Sequence, residues 1–138
     1  MAIIETTIRA LLTDDATVAD LIGDRVYRRR IPQAGAYPCV VVSRVRTERL
    51  NFSDGLDPLT RAVIQVTCWS DDPEELELLG EAVTDRLADY TGGTAVSIKE
   101  LTLLSEADID EGPTAATDDA IRLGRRLEFL VWYEIVAA

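Results

Sequence analysis

The stretch Thr60-Arg61-Ala62-Val63-Ile64-Gln65-Val66-Thr67-Cys68-Trp69-Ser70-Asp71-Asp72-Pro73-Glu74-Glu75 changes its hydrophobic period part of the way along. Ala62, Ile64, Val66 and Cys68 alternate with Arg61, Val63, Gln65, Thr67 and Trp69, the two-residue repeat of a strand with one face in a core. Asp72 then offers a capping carboxylate, Pro73 suits the first helical position, and Glu75 stands where a capping box bonds back to the cap. Beyond it Leu76, Leu79, Val83, Leu87 and Tyr90 fall on one helical stripe, with Glu74, Glu77, Glu81, Asp85 and Asp89 elsewhere on the wheel and Gly92-Gly93 as the stop. A strand that passes straight into an amphipathic helix predicts a helix laid on one face of a sheet.

Upstream, Cys39 to Arg49 is β-branched and then alternating, a second strand. The turn formers of residues 50–58 predict a loop between the two, hence an antiparallel hairpin. A loop centred near Ser53-Asp54 sets Val41 opposite Val66, Ser43 opposite Ile64 and Cys39 opposite Cys68. Earlier still, Ile4, Ile8, Leu11 and Leu12 mark a helix, Val18, Leu21 and Ile22 a shorter one ending at Gly23, and Arg25 to Arg28 a short strand. Pro32, Gly35 and Pro38 predict an exposed loop over residues 31–38. Downstream, Val96 to Leu104 and Ile121 to Ile135 read as strands, joined by a mobile acidic linker over residues 108–119. The order predicts an α+β fold, a mainly antiparallel sheet of about four to five strands with helices on one face. Arg44, Arg46, Val63, Gln65, Trp69, Arg126, Glu128, Leu130 and Trp132 are expected on the other face, too apolar in places to face only water.

At 138 residues the chain is sized for one domain over residues 1–138, and it can bury a core without staples. It has no histidine, which removes serine and cysteine triads, histidine bases and the commonest zinc sites. Cys39 and Cys68 lack metal-ligand spacing; a disulfide between them is open, but the cytosolic default is two reduced, buried thiols. Carboxylate pairs such as Asp14-Asp15, Asp71-Asp72, Glu74-Glu75 and Asp118-Asp119 have ready roles at helix starts and in solvated turns, and they lack the spacing of a calcium loop. No catalytic residue, cofactor or metal is expected. No apolar run reaches the length of a membrane span, and the opening residues do not read as a signal peptide, so residence in the cytosol is expected.

The net charge is −11, which disfavours gripping nucleic acid by its phosphates. That charge is segregated. Residues 1–50 carry eight arginines against six carboxylates, a net +2, and residues 51–138 carry a net −13. Thirteen of the fourteen basic residues are arginine, the cation suited to pairing with carboxylates across protein interfaces. A chain with a basic and an acidic end suits head-to-tail association of copies, against the alternative of a solvated basic edge that discourages aggregation. Arg28, Arg30, Arg44, Arg46, Trp69 and Trp132 are the expected contacts.

Leu21-Ile22-Gly23-Asp24-Arg25-Val26-Tyr27, the segment Tyr37-Pro38-Cys39-Val40-Val41-Val42, and the strand Val63 to Ser70 feeding a helix occur in an order that resembles the tail completion or tail terminator proteins of long-tailed bacteriophages. The likeness spans nearly the whole chain. It implies an α+β, non-enzymatic assembly protein that forms a ring, typically of six, capping the finished tail tube and presenting a surface to the head connector. It implies as partners the chain itself, the tube protein and connector or neck proteins, with DNA passing through unbound and no membrane. It also implies assembly in the host bacterial cytoplasm, from a phage or prophage, and a final place at the tail-neck junction. Gln33, Tyr37, Phe52, Asp54, Asp110 and Glu111 are the expected loop contacts. A neck or head-closure subunit, and a small ligand-binding or carboxylate enzyme domain, are the competing readings.

Overall fold

A computed structural model of the chain describes residues 4–31, 37–52, 55–111 and 122–135, with the side chains of 50–52, 55–58, 110–111 and 122 excepted. The described elements follow the expected order: α1 (Ile4–Thr13), α2 (Ala16–Ile22), β1 (Val26–Arg28), β2 (Cys39–Phe52), β3 (Gly55–Ser70), α3 (Pro73–Leu87), β4 (Val96–Glu111) and β5 (Arg122–Ile135). The strands form one sheet in the order β1-β2-β3-β5-β4, with β1 parallel to β2 and the other neighbours antiparallel. The fold is α+β.

The helices cover one face. Ile4, Ile8 and Leu12 of α1, Val18 and Ile22 of α2, and Leu76, Leu79, Val83 and Leu87 of α3 meet Val40, Val42, Ile64, Val66, Leu127, Phe129 and Val131 of the sheet in one buried cluster. Each such side chain contributes about 1.5–3 kcal/mol relative to leaving it in water. Arginines brace this layer from its rim: Arg9 Nε donates to the carbonyl of Val26, Arg25 Nε to that of Pro38 and Arg86 Nε to that of Leu11.

Local chemistry sets the helix ends. Asp15 caps α2 by accepting from the Val18 N–H, and Gly23 follows it at φ 62°. Asp72 caps α3 by accepting from the Glu74 N–H. The expected return bond from Glu75 runs through Ser70 instead: the Ser70 hydroxyl donates to Glu75 and accepts from the Asp72 N–H. α3 also stops at Leu87 rather than at Gly92-Gly93, because Asp89 takes a left-handed φ of 64° and gives its N–H to the carbonyl of Leu101 on β4. Tyr90 therefore packs on the core from beyond the helix, under the guanidinium of Arg86.

Three sequence expectations about the strands require correction. Residues 51–52 and 55–58, expected in a loop, belong to β2 and β3, so that only positions 53–54 separate the paired ends. Ladder bonding overrides the weak strand propensity of these residues, and Pro58 falls at the irregularity between Arg49 and Asn51, where no ladder donor is lost. Likewise β4 runs to Glu111 through residues assigned to the acidic linker, held to β5 by pairing and by Arg125 against Glu106 and Asp108. The rest of that linker, and residues 32–36 of the other expected loop, lie outside the described residues; Ile31, Tyr37 and Pro38 at the margins of the latter are half-buried rather than exposed.

The hairpin register is the third. Cys39 pairs with Trp69 and Val40 with Cys68, one residue from the expected alignment. The pairings nearest the turn, Phe52 with Gly55 and Asn51 with Leu56, are in the expected register; two irregularities, at Arg49/Asn51 and at Arg44/Arg46, then leave a net slip of one. A slip of one exchanges the faces. Cys39 and Cys68 thus lie on opposite faces as free thiols, and burial pushes them up to about 11 and about 12 respectively.

Candidate interaction face

The bulge at Val45 separates the two arginines that the sequence places side by side. Arg44 pairs with Ile64 and faces the helices, a correction to its expected place on the open face, whereas Arg46 pairs with Val63 and faces away from them. Val45, the extra residue, is exposed.

Arg44 ends at Glu5, the first-turn carboxylate of α1, which is fully buried. Its Nε lies 3.8 Å from Glu5, and those of Arg29 and Arg28 lie at 3.4 and 3.9 Å. Among the described residues no hydrogen bond reaches either oxygen, so the arrangement is a Coulombic cage. Two unit charges about 4 Å apart attract by about 4 kcal/mol at an effective dielectric of about 20, less where solvent screens these partly exposed guanidiniums, and the attraction of three of them opposes the desolvation of the one buried carboxylate. Arg29 takes a left-handed φ of 71°, which lets two consecutive arginines at the end of β1 reach the same carboxylate. Glu5 is the residue the sequence reading missed. A signal was present, since Glu5 falls about 20° from Leu12 on a helical wheel, within the apolar stripe.

The open face divides into two parts. Toward one end, Arg46 and Arg61 flank Glu48, and Arg61 lies over the ring of Trp132, 5.2 Å from its centroid. The hydrogen bond from Arg61 holds the Glu48 carboxyl below its ordinary range. Toward the other end is a hollow of about 500 Å3, floored by Val41, Ser43, Gln65, Thr67 and Trp69 and rimmed by Arg29, Arg30, Tyr37, Ile109 and Arg126. Gly124 makes room for two of these side chains: a Cβ there would stand 2.8 Å from both Trp69 and Ile109. Among the described residues the buried Arg126 Nε has no acceptor and Arg30 forms no ion pair.

Of the expected contacts, the structure places Arg30, Trp69 and Tyr37 together at the hollow. It places Arg46 and Trp132 at the paired end, and Arg28 and Arg44 at the Glu5 cage. Gln33 and Asp54 lie outside the described residues; Phe52, Asp110 and Glu111 are described as strand backbone only. Arg126 was not among the expected contacts and joins them by geometry. Among the described residues no group of three or more cysteines, aspartates and glutamates could hold a metal ion, and no helix is long and apolar enough to cross a membrane.

The helices cover one face of the sheet, and among the described residues the other face carries Arg30 without an ion pair and Arg126 Nε without an acceptor. The family model described as "Tail completion protein gp17" matches residues 6–123, and the chain belongs to that family, with a structural role in phage tails. A chain of the solved structure titled "Virion of native gene transfer agent (GTA) particle" is similar in fold, with a TM-score of 0.60 at 16% identity over 93% of this chain and 90% of that one. No curated protein matches the chain.

Proposed function

We propose that this protein completes the tail by capping the end of the tail tube, stopping its polymerisation and presenting the surface on which the head-neck connector docks, as a closed ring of about six copies. The observation that carries this reading is the match of the tail completion family across residues 6–123. Three properties support it. At the hollow of the open face Arg30 and Arg126 find no acceptor among the described residues, which suits a heterologous junction between copies. The likeness to a chain of a gene transfer agent virion fits a place inside an assembled particle. A net charge of −11 per subunit would repel DNA phosphates, so DNA slides through the ring rather than adhering to it. On this reading the protein acts without catalysis, assembles in the host bacterial cytoplasm from a phage or prophage, and ends at the tail-neck junction.

The test is assembly without the protein, followed by electron microscopy of the lysate. The expected result is tail tubes of uncontrolled length and no joined heads. Tails of normal length that fail to join heads would favour a neck or head-closure role instead, and normal particles would end the proposal.

A further inference from the structure

We infer that the hollow on the open face receives the outward ridge of α3 from a second copy of this chain. The inference rests on the ring reading above and names its junction.

The hollow states what an occupant must carry. Its floor is partly apolar at Val41 and Trp69, and Arg30 and Arg126 stand at its rim. Arg126 Nε is buried without an acceptor among the described residues, a state that costs free energy until a partner arrives. An occupant therefore needs an apolar tip flanked by carboxylates.

This chain presents such a surface on its opposite side. Glu74, Leu78, Glu81 and Asp85 of α3 fall within about 60° of one another on the helical wheel, opposite the buried Leu76, Leu79 and Val83. All four are exposed. Leu78 is 54% exposed, and of the exposed large apolar side chains among the described residues it alone lies on a helix. The ridge spans about 16 Å along α3, with the leucine between two glutamates.

Hollow and ridge lie on opposite sides of a single helix-on-sheet layer. A pair of copies joined this way leaves one free hollow and one free ridge, so association is head to tail and closes into a ring when the rotation permits. Pairing guanidiniums with carboxylates at each junction also gives local attraction between chains that repel one another overall.

The experiment uses two charge-swapped variants of the full chain, with association measured by sedimentation and folding by circular dichroism. Arg30→Glu with Arg126→Glu alters the hollow; Glu74→Arg with Glu81→Arg alters the ridge. Each variant alone is expected to stay monomeric at concentrations where the wild type associates. An equal mixture should associate again, because swapped hollow meets swapped ridge while the unaltered pair of surfaces remains. Leu78→Asp, at an exposed site that does not threaten the fold, should weaken association about tenfold or more. Wild-type rings whose assembly survives the hollow variant, the ridge variant and Leu78→Asp would overturn the inference and leave the ring reading standing. So would a hollow variant that loses only binding to the tube protein, or one in which stability alone changes while association persists. A wild type that stays monomeric at millimolar concentration would overturn both.

Discussion

Arg125 and Arg126 are neighbours on β5 and point to opposite faces, and they meet opposite fates. Arg125 threads beside Gly80 of α3, where a Cβ would stand 2.9 Å from its stem, and reaches Glu106 and Asp108. Its pKa is raised: burial would lower it, but the hydrogen bond to Asp108 and the carboxylates of Asp108, Glu106 and Glu77 outweigh that. Arg126 has no such company. The contrast extends to the two sides of the sheet. Arg9, Arg25, Arg28, Arg29, Arg44 and Arg86 all end on a carbonyl or on Glu5, whereas Arg30 and Arg126 at the hollow do not end on any acceptor among the described residues. Seven arginines, Arg125 included, therefore brace the helical side of the fold, and the two at the hollow are left without acceptors among the described residues. An arginine count alone cannot separate these uses.

The sharpest way to break the comparison is at Glu5. Arg44→Glu would set a second carboxylate beside a buried one, and the chain should lose about 3 kcal/mol, the low end for breaking a buried pair because Arg28 and Arg29 remain. A melting temperature lower by roughly 10 °C is the expected readout. Arg46→Glu, one bulge away and on the exposed side, should leave the melting temperature within its scatter. Equal effects from the two substitutions would mean that the cage is no more structural than the surface pair. A joint replacement of Arg44 and Arg46, attractive from sequence as an interface test, would thus confuse folding with association.

Arg126→Met is the second test and has the opposite sign. The thioether chain keeps the stem's packing and removes a buried donor without a partner, whose desolvation costs about 1–3 kcal/mol. The isolated chain should be as stable as the wild type or more so, by up to about 1 kcal/mol. Arg125→Met should instead destabilise it. Chemical denaturation of both variants decides the matter, and a clear loss at Arg126 would show that it has a folding role after all.

The same contrast explains what could be read in advance. Element order and the α3 start were legible, because periodicity, Asp72-Pro73 and Gly23 are local signals. So was the shared face of Ala62, Ile64, Val66 and Cys68. What escaped depends on pairing between strands. A bulge leaves no mark in the apolar repeat of Cys39 to Arg49, yet it decides that Arg44 turns inward and Arg46 outward, and with its companion irregularity that the two cysteines part. The strand extensions over 55–58 and 105–111 were hidden for a related reason: their residues favour turns, and only the ladder with a neighbour keeps them extended. The hollow draws its rim from the end of β1, the start of β2, and β4 and β5, so no short stretch of sequence announces it.

The smallest expected effect lies at the paired end of the open face. Glu48 is held below its ordinary range first by the hydrogen bond from Arg61 and then by the charges of Arg61 and Arg46, while its slight burial opposes them. A carboxylate whose folded pKa is depressed adds stability above its unfolded pKa and loses it as the pH falls through the folded value. Any contribution from Glu48 is therefore present at neutral pH and fades in the acid range below about 4. Because the group is exposed, solvent and salt screen it, and the melting curve is a poor reporter. The direct measurement is the titration of the Glu48 side-chain carbon by NMR in the wild type and in Arg61→Met. Removing the guanidinium should raise the midpoint toward that of an ordinary glutamate, and the same arginine should cease to cover Trp132, increasing exposure of the ring to a soluble quencher. An unmoved midpoint would mean that Glu48 and Arg61 are neighbours without coupling, and the paired end of the face would then resemble the hollow more closely than the geometry indicates.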